Sequence, residues 1–118
     1  MAVRSEQRGS ATVVWVDEAE LTGKVVDPLR QEIDRAIENR CHRIVLDLRH
    51  AILMESFFLA MLVSVHKELS AQQGELKIVG LSESLLKIFI DVRFDKIFAV
   101  YGSVGEAVQA FEERDSGR

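Results

Sequence analysis

Strand-like runs alternating with stretches of helical spacing leave this chain few architectures to adopt. TVVWV (12–16), RIVLDL (43–48), ELKIVG (75–80) and KIFAVY (96–101) read as strands, rich in β-branched or aromatic residues and flanked by polar or turn-forming ones. Between the first two lies VVDPLRQEIDRAIENR, where Leu29, Ile33, Ala36 and Ile37 recur at helical spacing. Asp27 reads as the N-cap of this helix and Pro28 as its first residue, where a missing N–H costs nothing. The segment from 56 to 71 reads as a second helix. SESLLKIFIDV reads as a third, with Leu85, Leu86, Phe89 and Ile90 toward the core. Ser103-Val-Gly-Glu106 has capping-box spacing and opens a last helix through Phe111.

This alternation predicts βαβ units: one α/β domain with a mostly parallel sheet of about four to five strands and about four helices. The domain is expected over residues 10–113, with 1–9 and 114–118 frayed.

Composition removes several classes of function. The chain has 118 residues, 47% hydrophobic and 29% charged, enough for one core. Its net charge of −4 comes from 15 basic residues scattered among 19 acids, which argues against a nucleic-acid surface. Cys41 is the single cysteine, so no internal disulfide is expected. MAVRSEQRGS lacks the apolar stretch of a signal peptide, and no apolar run approaches the roughly 18 residues of a membrane span. The expectation is a cytoplasmic protein with no membrane insertion.

The most informative stretch is IVLDLRHAILMESFFLAML (44–62), in which Asp47 closes a strand and Glu55-Ser56 opens a helix. A Ser56–His66–Asp47 triad fails on distance: His66 lies ten residues along the helix, about 15 Å away, against the ~3 Å a general base requires. His42, His50, His66 and Cys41 lack metal-ligand spacing, and no P-loop or G-x-G-x-x-G is present, so no cofactor is expected. Asp47 and Glu55 are candidates for acid–base work, although acids at strand ends and helix starts are common for dipole reasons alone. Ser56 is open to two readings. One is an N-cap; the other is a phosphorylation site, because a helix N-terminus receives a phosphate readily.

On a helical wheel Leu59, Leu62, Val63, His66 and Leu69 form one face, the expected core side. Phe57 and Met61 fall nearly opposite, with Phe58 and Val65 at the flank. A helix apolar nearly all round, with only one side covered by its own sheet, has two readings: a neighbouring helix or terminal segment covers Phe57 and Met61, or, the reading favoured here, they form a protein–protein interface.

Together these residues resemble the STAS domain, the family of anti-sigma-factor antagonists. Its apolar strand ending in Asp or Asn, followed by Asp-Ser at a helix start, matches Asp47, Glu55 and Ser56. EAELTGKVVDPLRQEI sits where the family carries a Gly-Glu-Leu-Asp turn, with Thr22 in the place of the turn Asp. GELKIVGLSESLLKIFIDVRFDKIFAVYGSVGEAV resembles the C-terminal half. The resemblance implies a bacterial, non-catalytic signal-transduction protein that regulates transcription by switching partners. Ser56 would be the serine phosphorylated by an anti-sigma kinase, surrounded by Asp47, Glu55 and Thr22, with Phe57, Phe58, Ala60 and Met61 as the contact surface. The chain departs from the family at Glu55, in place of Asp, and at Phe58 and Ala60, where two glycines are lost. Phe58 is expected to make the docking face bulkier. The Ser-Phe start is closer to STAS proteins of stressosome cores, so the alternative is a constitutive structural subunit of a stressosome-like or transport complex. A homodimer or larger assembly is compatible with either reading.

Overall fold

The computed structural model describes residues 2–116, with side chains through Glu113. Its main sheet contains β1 (Val3–Arg8), β2 (Ala11–Val16), β4 (Arg43–Asp47), β6 (Glu75–Val79) and β7 (Ala99–Tyr101), in the order β1-β2-β4-β6-β7. β1 is antiparallel to β2 and every other pairing is parallel. A second, parallel ribbon joins β3 (Glu20–Leu21) to β5 (Leu53–Met54). The helices are α1 (Gly23–Glu38), α2 (Ser56–Ala71), α3 (Glu83–Asp91) and α4 (Val104–Ser116). The α/β class and the mostly parallel sheet are those expected from the alternation of segments.

The two faces of the sheet are covered unequally. Val14, Val16, Ile44, Leu46, Leu76 and Ile78 point to the side holding α1, α2 and α3. Their alternating neighbours Ala11, Val13, Val45 and Val79 meet Val104, Ala107 and Phe111 of α4. Both sides of β4 and β6 are therefore dry, which is why Ile44-Val45-Leu46 reads as a continuous apolar run and only Lys77 interrupts that of β6. Lys77 is buried beneath α4, where its ammonium reaches Glu75 at 3.0 Å and the Tyr101 hydroxyl at 3.1 Å, and lies 4.6 Å from the Phe111 ring centre. Those partners replace the water a buried cation gives up.

Four boundaries differ from the sequence expectation. Residues 3–8 are the edge strand β1 of the main sheet, where fraying was expected; the β1–β2 hairpin turns on Gly9-Ser10, and Gly9 has φ +60°. Met1 and residues 117–118 lie outside the described residues, while α4 runs through the first three residues of the expected C-terminal fray. α1 begins at Gly23, because Thr22 is its N-cap and accepts the Lys24 N–H. Pro28 consequently sits in the second turn, where its ring removes one helical N–H. Burial of Val25 and Val26 fixes this earlier start. Finally, β7 covers only 99–101, since residues 94–96 form a 3-10 turn that stacks Phe94 edge-on against Phe89 and Phe98. Ile90, expected in the core, is half exposed.

Candidate functional site

The β3–β5 ribbon lays the starts of α1 and α2 side by side. Ile52 donates its N–H to the Ala19 carbonyl at 2.7 Å and Glu55 donates to Leu21 at 3.0 Å. Two helix N-termini, each carrying partial positive charge, thus open onto one patch of surface; the first N–H groups of α1 are already bonded to Glu55 and Thr22, and those of α2 have no side-chain cap.

Within that patch the acid and the serine divide the roles of cap and first helical residue. Glu55 is the N-cap of α2, with extended φ −79° and ψ 156°, yet its side chain does not cap its own helix. Its Oε1 accepts the Gly23 N–H of α1 at 3.3 Å. Ser56 is the first residue of α2, exposed, and its hydroxyl has no hydrogen-bond partner among the described residues. The N-cap role open to Ser56 in the sequence therefore belongs to Glu55. Phe57 lies 64% exposed and leans over Gly23, where an added Cβ would sit 3.6 Å from its ring. Ile52 and Leu53, 71% and 47% exposed, extend the apolar surface on the segment leading into the helix.

The expected contact face needs correction. Phe58 is wholly buried and Met61 nearly so; with Leu62, Val65 and Leu69 they form the buried stripe of α2. The core side of the helix is thus rotated by about one residue from the sequence-based assignment. Leu59 and Val63 are only partly buried, and His66 packs edge-on against Phe98 at 5.5 Å. Phe58 fills the core and does not enlarge the docking face. Of the four expected contact residues, Phe57 and Ala60 remain exposed. The sequence reading missed Ile52 and Leu53; the apolar run Ala51-Ile52-Leu53-Met54 in the link before α2 is the signal that could have found them.

Asp47 is the second correction. Strand alternation and its pairing opposite Trp15 direct it to the α4 side of the sheet, away from the face that α2 covers. It is 1% exposed, and its carboxylate accepts Arg49 Nη2 at 2.7 Å, Arg49 Nε at 3.0 Å and the Arg49 backbone N–H at 3.0 Å. The hydrogen bond and then the charge of Asp47 hold the Arg49 guanidinium protonated beyond the ordinary arginine range. Gly80, at φ +81°, lets this turn approach β6: a Cβ there would come 2.9 Å from the Arg49 Cβ. Asp47 therefore fixes a turn with Arg49, and among the described residues no hydrogen bond or ion pair joins it to Glu55 or Ser56. The pocket beside Asp47, lined by Arg4, Trp15, Asp17 and His50 among others, holds about 70 Å³. Ordinary ligand sites hold roughly 300–1,000 Å³. Thr22, by contrast, does lie at the patch, one residue before the N–H that Glu55 accepts.

A sheet of this order, with α2 opening at an exposed serine, defines a class of small α/β domain. The STAS domain family model matches residues 2–107, and the chain belongs to that family. No curated protein sequence matches it significantly. Solved structures with the same fold include an anti-sigma factor antagonist from Mycobacterium paratuberculosis, at 21% identity and TM-score 0.79, covering 92% of this chain and 91% of that one. A STAS domain protein from Planctomyces limnophilus shares 22% identity with TM-score 0.79, covering 93% and 98% of the two chains. The phosphorylated form of the Bacillus cell fate determinant SpoIIAA shares 20% identity with TM-score 0.73, covering 93% and 99%. No helix among the described residues is long and apolar enough to cross a membrane.

Proposed function

We propose that this domain is an anti-sigma-factor antagonist: a cytoplasmic binding module, without catalysis of its own, that sequesters an anti-sigma serine kinase and releases it when Ser56 is phosphorylated. The observation that carries this reading is the Ser56 hydroxyl, exposed and without a hydrogen-bond partner among the described residues, beside the exposed ring of Phe57. A partner seated on Ile52, Leu53 and Phe57 covers that hydroxyl.

Phosphate there adds about −1.5 to −2 charges at a helix start. The helix tolerates the charge, because no side chain caps the first N–H groups of α2. The partner does not tolerate it, since an apolar surface would have to bury the phosphate, and Glu55 already supplies a negative charge one residue away. A tenfold loss of affinity needs only about 1.4 kcal/mol.

The test is binding of the serine-kinase anti-sigma factor encoded in the same genome by wild type, Ser56→Ala and Ser56→Asp. Ser56→Ala is expected to bind as wild type and to resist release on incubation with ATP. Ser56→Asp is expected to bind at least tenfold more weakly. Tight binding by Ser56→Asp, or normal release of Ser56→Ala, contradicts the switch and favours a constitutive structural subunit.

A further inference from the structure

We propose that β1 is a dimerisation edge, pairing antiparallel with β1 of a second copy of this chain about a two-fold axis at Ser5. β1 ends the sheet order, and residues 4–8 of its six residues are exposed. The opposite edge, β7, has only three residues, all half-buried.

The hydrogen-bond phase of β1 sets which residues face outward. Asp17 donates to the Ala2 carbonyl at 2.6 Å, and Ala2 stands opposite Asp17 when the Val3–Val16 register is continued by one residue. In an antiparallel pair such exchanging positions alternate, so Arg4, Glu6 and Arg8 bond to β2. Val3, Ser5 and Gln7 then turn their backbone N–H and C=O groups to the open edge. A two-fold axis at Ser5 matches Val3 with Gln7 of the second copy, Ser5 with Ser5, and Gln7 with Val3, making about six backbone hydrogen bonds.

Charge selects the same register. With Ser5 on the axis, Arg4 stands opposite Glu6 of the second copy, and Glu6 opposite its Arg4. These are non-hydrogen-bonded pairs, whose Cα atoms approach to about 4.5 Å. Moving the axis by one residue either way sets Arg4 against Arg4, or Glu6 against Glu6 and Arg4 against Arg8, which is repulsive. An axis at Gln7 would pair Ser5 with Gly9, which is held in the hairpin turn at φ +60°. The guanidinium of Arg4 already rests 4.1 Å over the Trp15 ring, so little side-chain freedom remains to be lost on pairing. Glu6 uses Oε2 for Arg8 at 2.7 Å, leaving Oε1 toward Arg4 of the second copy. Edge strands that only avoid aggregation are kept short, bulged, covered, or blunted by Pro or by charge, Lys above all. β1 has an unbroken register and charges of alternating sign.

None of these residues belongs to the Ser56 patch, so the dimer presents both patches whether or not Ser56 is a switch. Sedimentation equilibrium from micromolar to millimolar protein tests the proposal on wild type, Arg4→Glu, Glu6→Arg, an equimolar mixture of the two, and Ser5→Pro. Wild type is expected to dimerise with rising concentration, and each variant alone to weaken that at least tenfold. The mixture should regain dimers, because one chain then carries acids at both charged positions flanking Ser5 and the other carries arginines at both. That recovery also shows both variants to be folded. Ser5→Pro removes an outward N–H while sparing the β1–β2 ladder, and is expected to be monomeric. A wild type monomeric throughout, variants that dimerise normally, or a mixture that stays monomeric overturns the proposal.

Discussion

Glu55 Oε1 accepts the Gly23 N–H at 3.3 Å, so the residue that caps α2 by its backbone uses its side chain to satisfy α1. One carboxylate thereby holds two helix starts at a fixed spacing. The Ser56 patch depends on that spacing, because Phe57 lies directly over Gly23.

Removing this link should loosen the patch more than the fold. Glu55→Ala is expected to lower stability in urea unfolding by about 0.5–1 kcal/mol, the worth of one helix-terminal hydrogen bond. Hydrogen exchange should quicken at the Gly23 amide and leave the β4 amides unchanged. Unchanged exchange at Gly23 would show that the bond does not form in solution.

The two neighbouring phenylalanines should separate cleanly. Phe58 is 0% exposed and Phe57 64%. Phe58→Ala is expected to cost about 3–5 kcal/mol of stability by emptying the core beneath α2. Phe57→Ala should change stability by less than about 0.5 kcal/mol, as exposed substitutions do, while weakening partner binding at least tenfold. Thermal unfolding and a binding titration of both variants check this.

Asp47 and Arg49 should behave as a structural pair. The Arg49 side chain is 53% exposed and that of Asp47 is buried, so the two truncations are unequal. Arg49→Ala leaves a buried carboxylate without its cation and is expected to cost about 3 kcal/mol, and Asp47→Ala somewhat less, because the freed guanidinium reaches water. The raised Arg49 pKa gives stability that is complete below the ordinary arginine range and lost only as pH rises through the higher folded value. Unfolding scans between about pH 6 and 9 should therefore show no titration of Arg49. Partner affinity of folded Asp47→Ala should equal that of wild type.

Much of this was legible in the chain because each long element carries its own period. α2 begins and ends at the residues its spacing indicated, since Glu55 and Ser56 mark its start and the polar Gln72-Gln73-Gly74 its end. β1 was not legible from hydrophobicity: VRSEQR has one buried residue, because an edge strand meets solvent on most sides. Its signal was the Gly9-Ser10 turn before a clear strand. The start of α1 was masked by Asp27-Pro28, a start signature that the buried Val25 and Val26 override. At the site, the serine, its acid and Thr22 could be found from sequence. Which side of an all-apolar helix faces inward could not, because residues on every side are apolar and only packing against the sheet chooses among them. Asp47 was misplaced for a similar reason: proximity along the chain does not reveal which face of a strand a side chain takes.

Ser56 can be tested most directly by peptide mass spectrometry of the protein recovered from its own cells, grown with and without stress. A single phosphoryl group on Ser56, whose occupancy changes with conditions, is the predicted result. A residue 56 that is unmodified under every condition, in cells where the partner kinase is present and active, would contradict the switch.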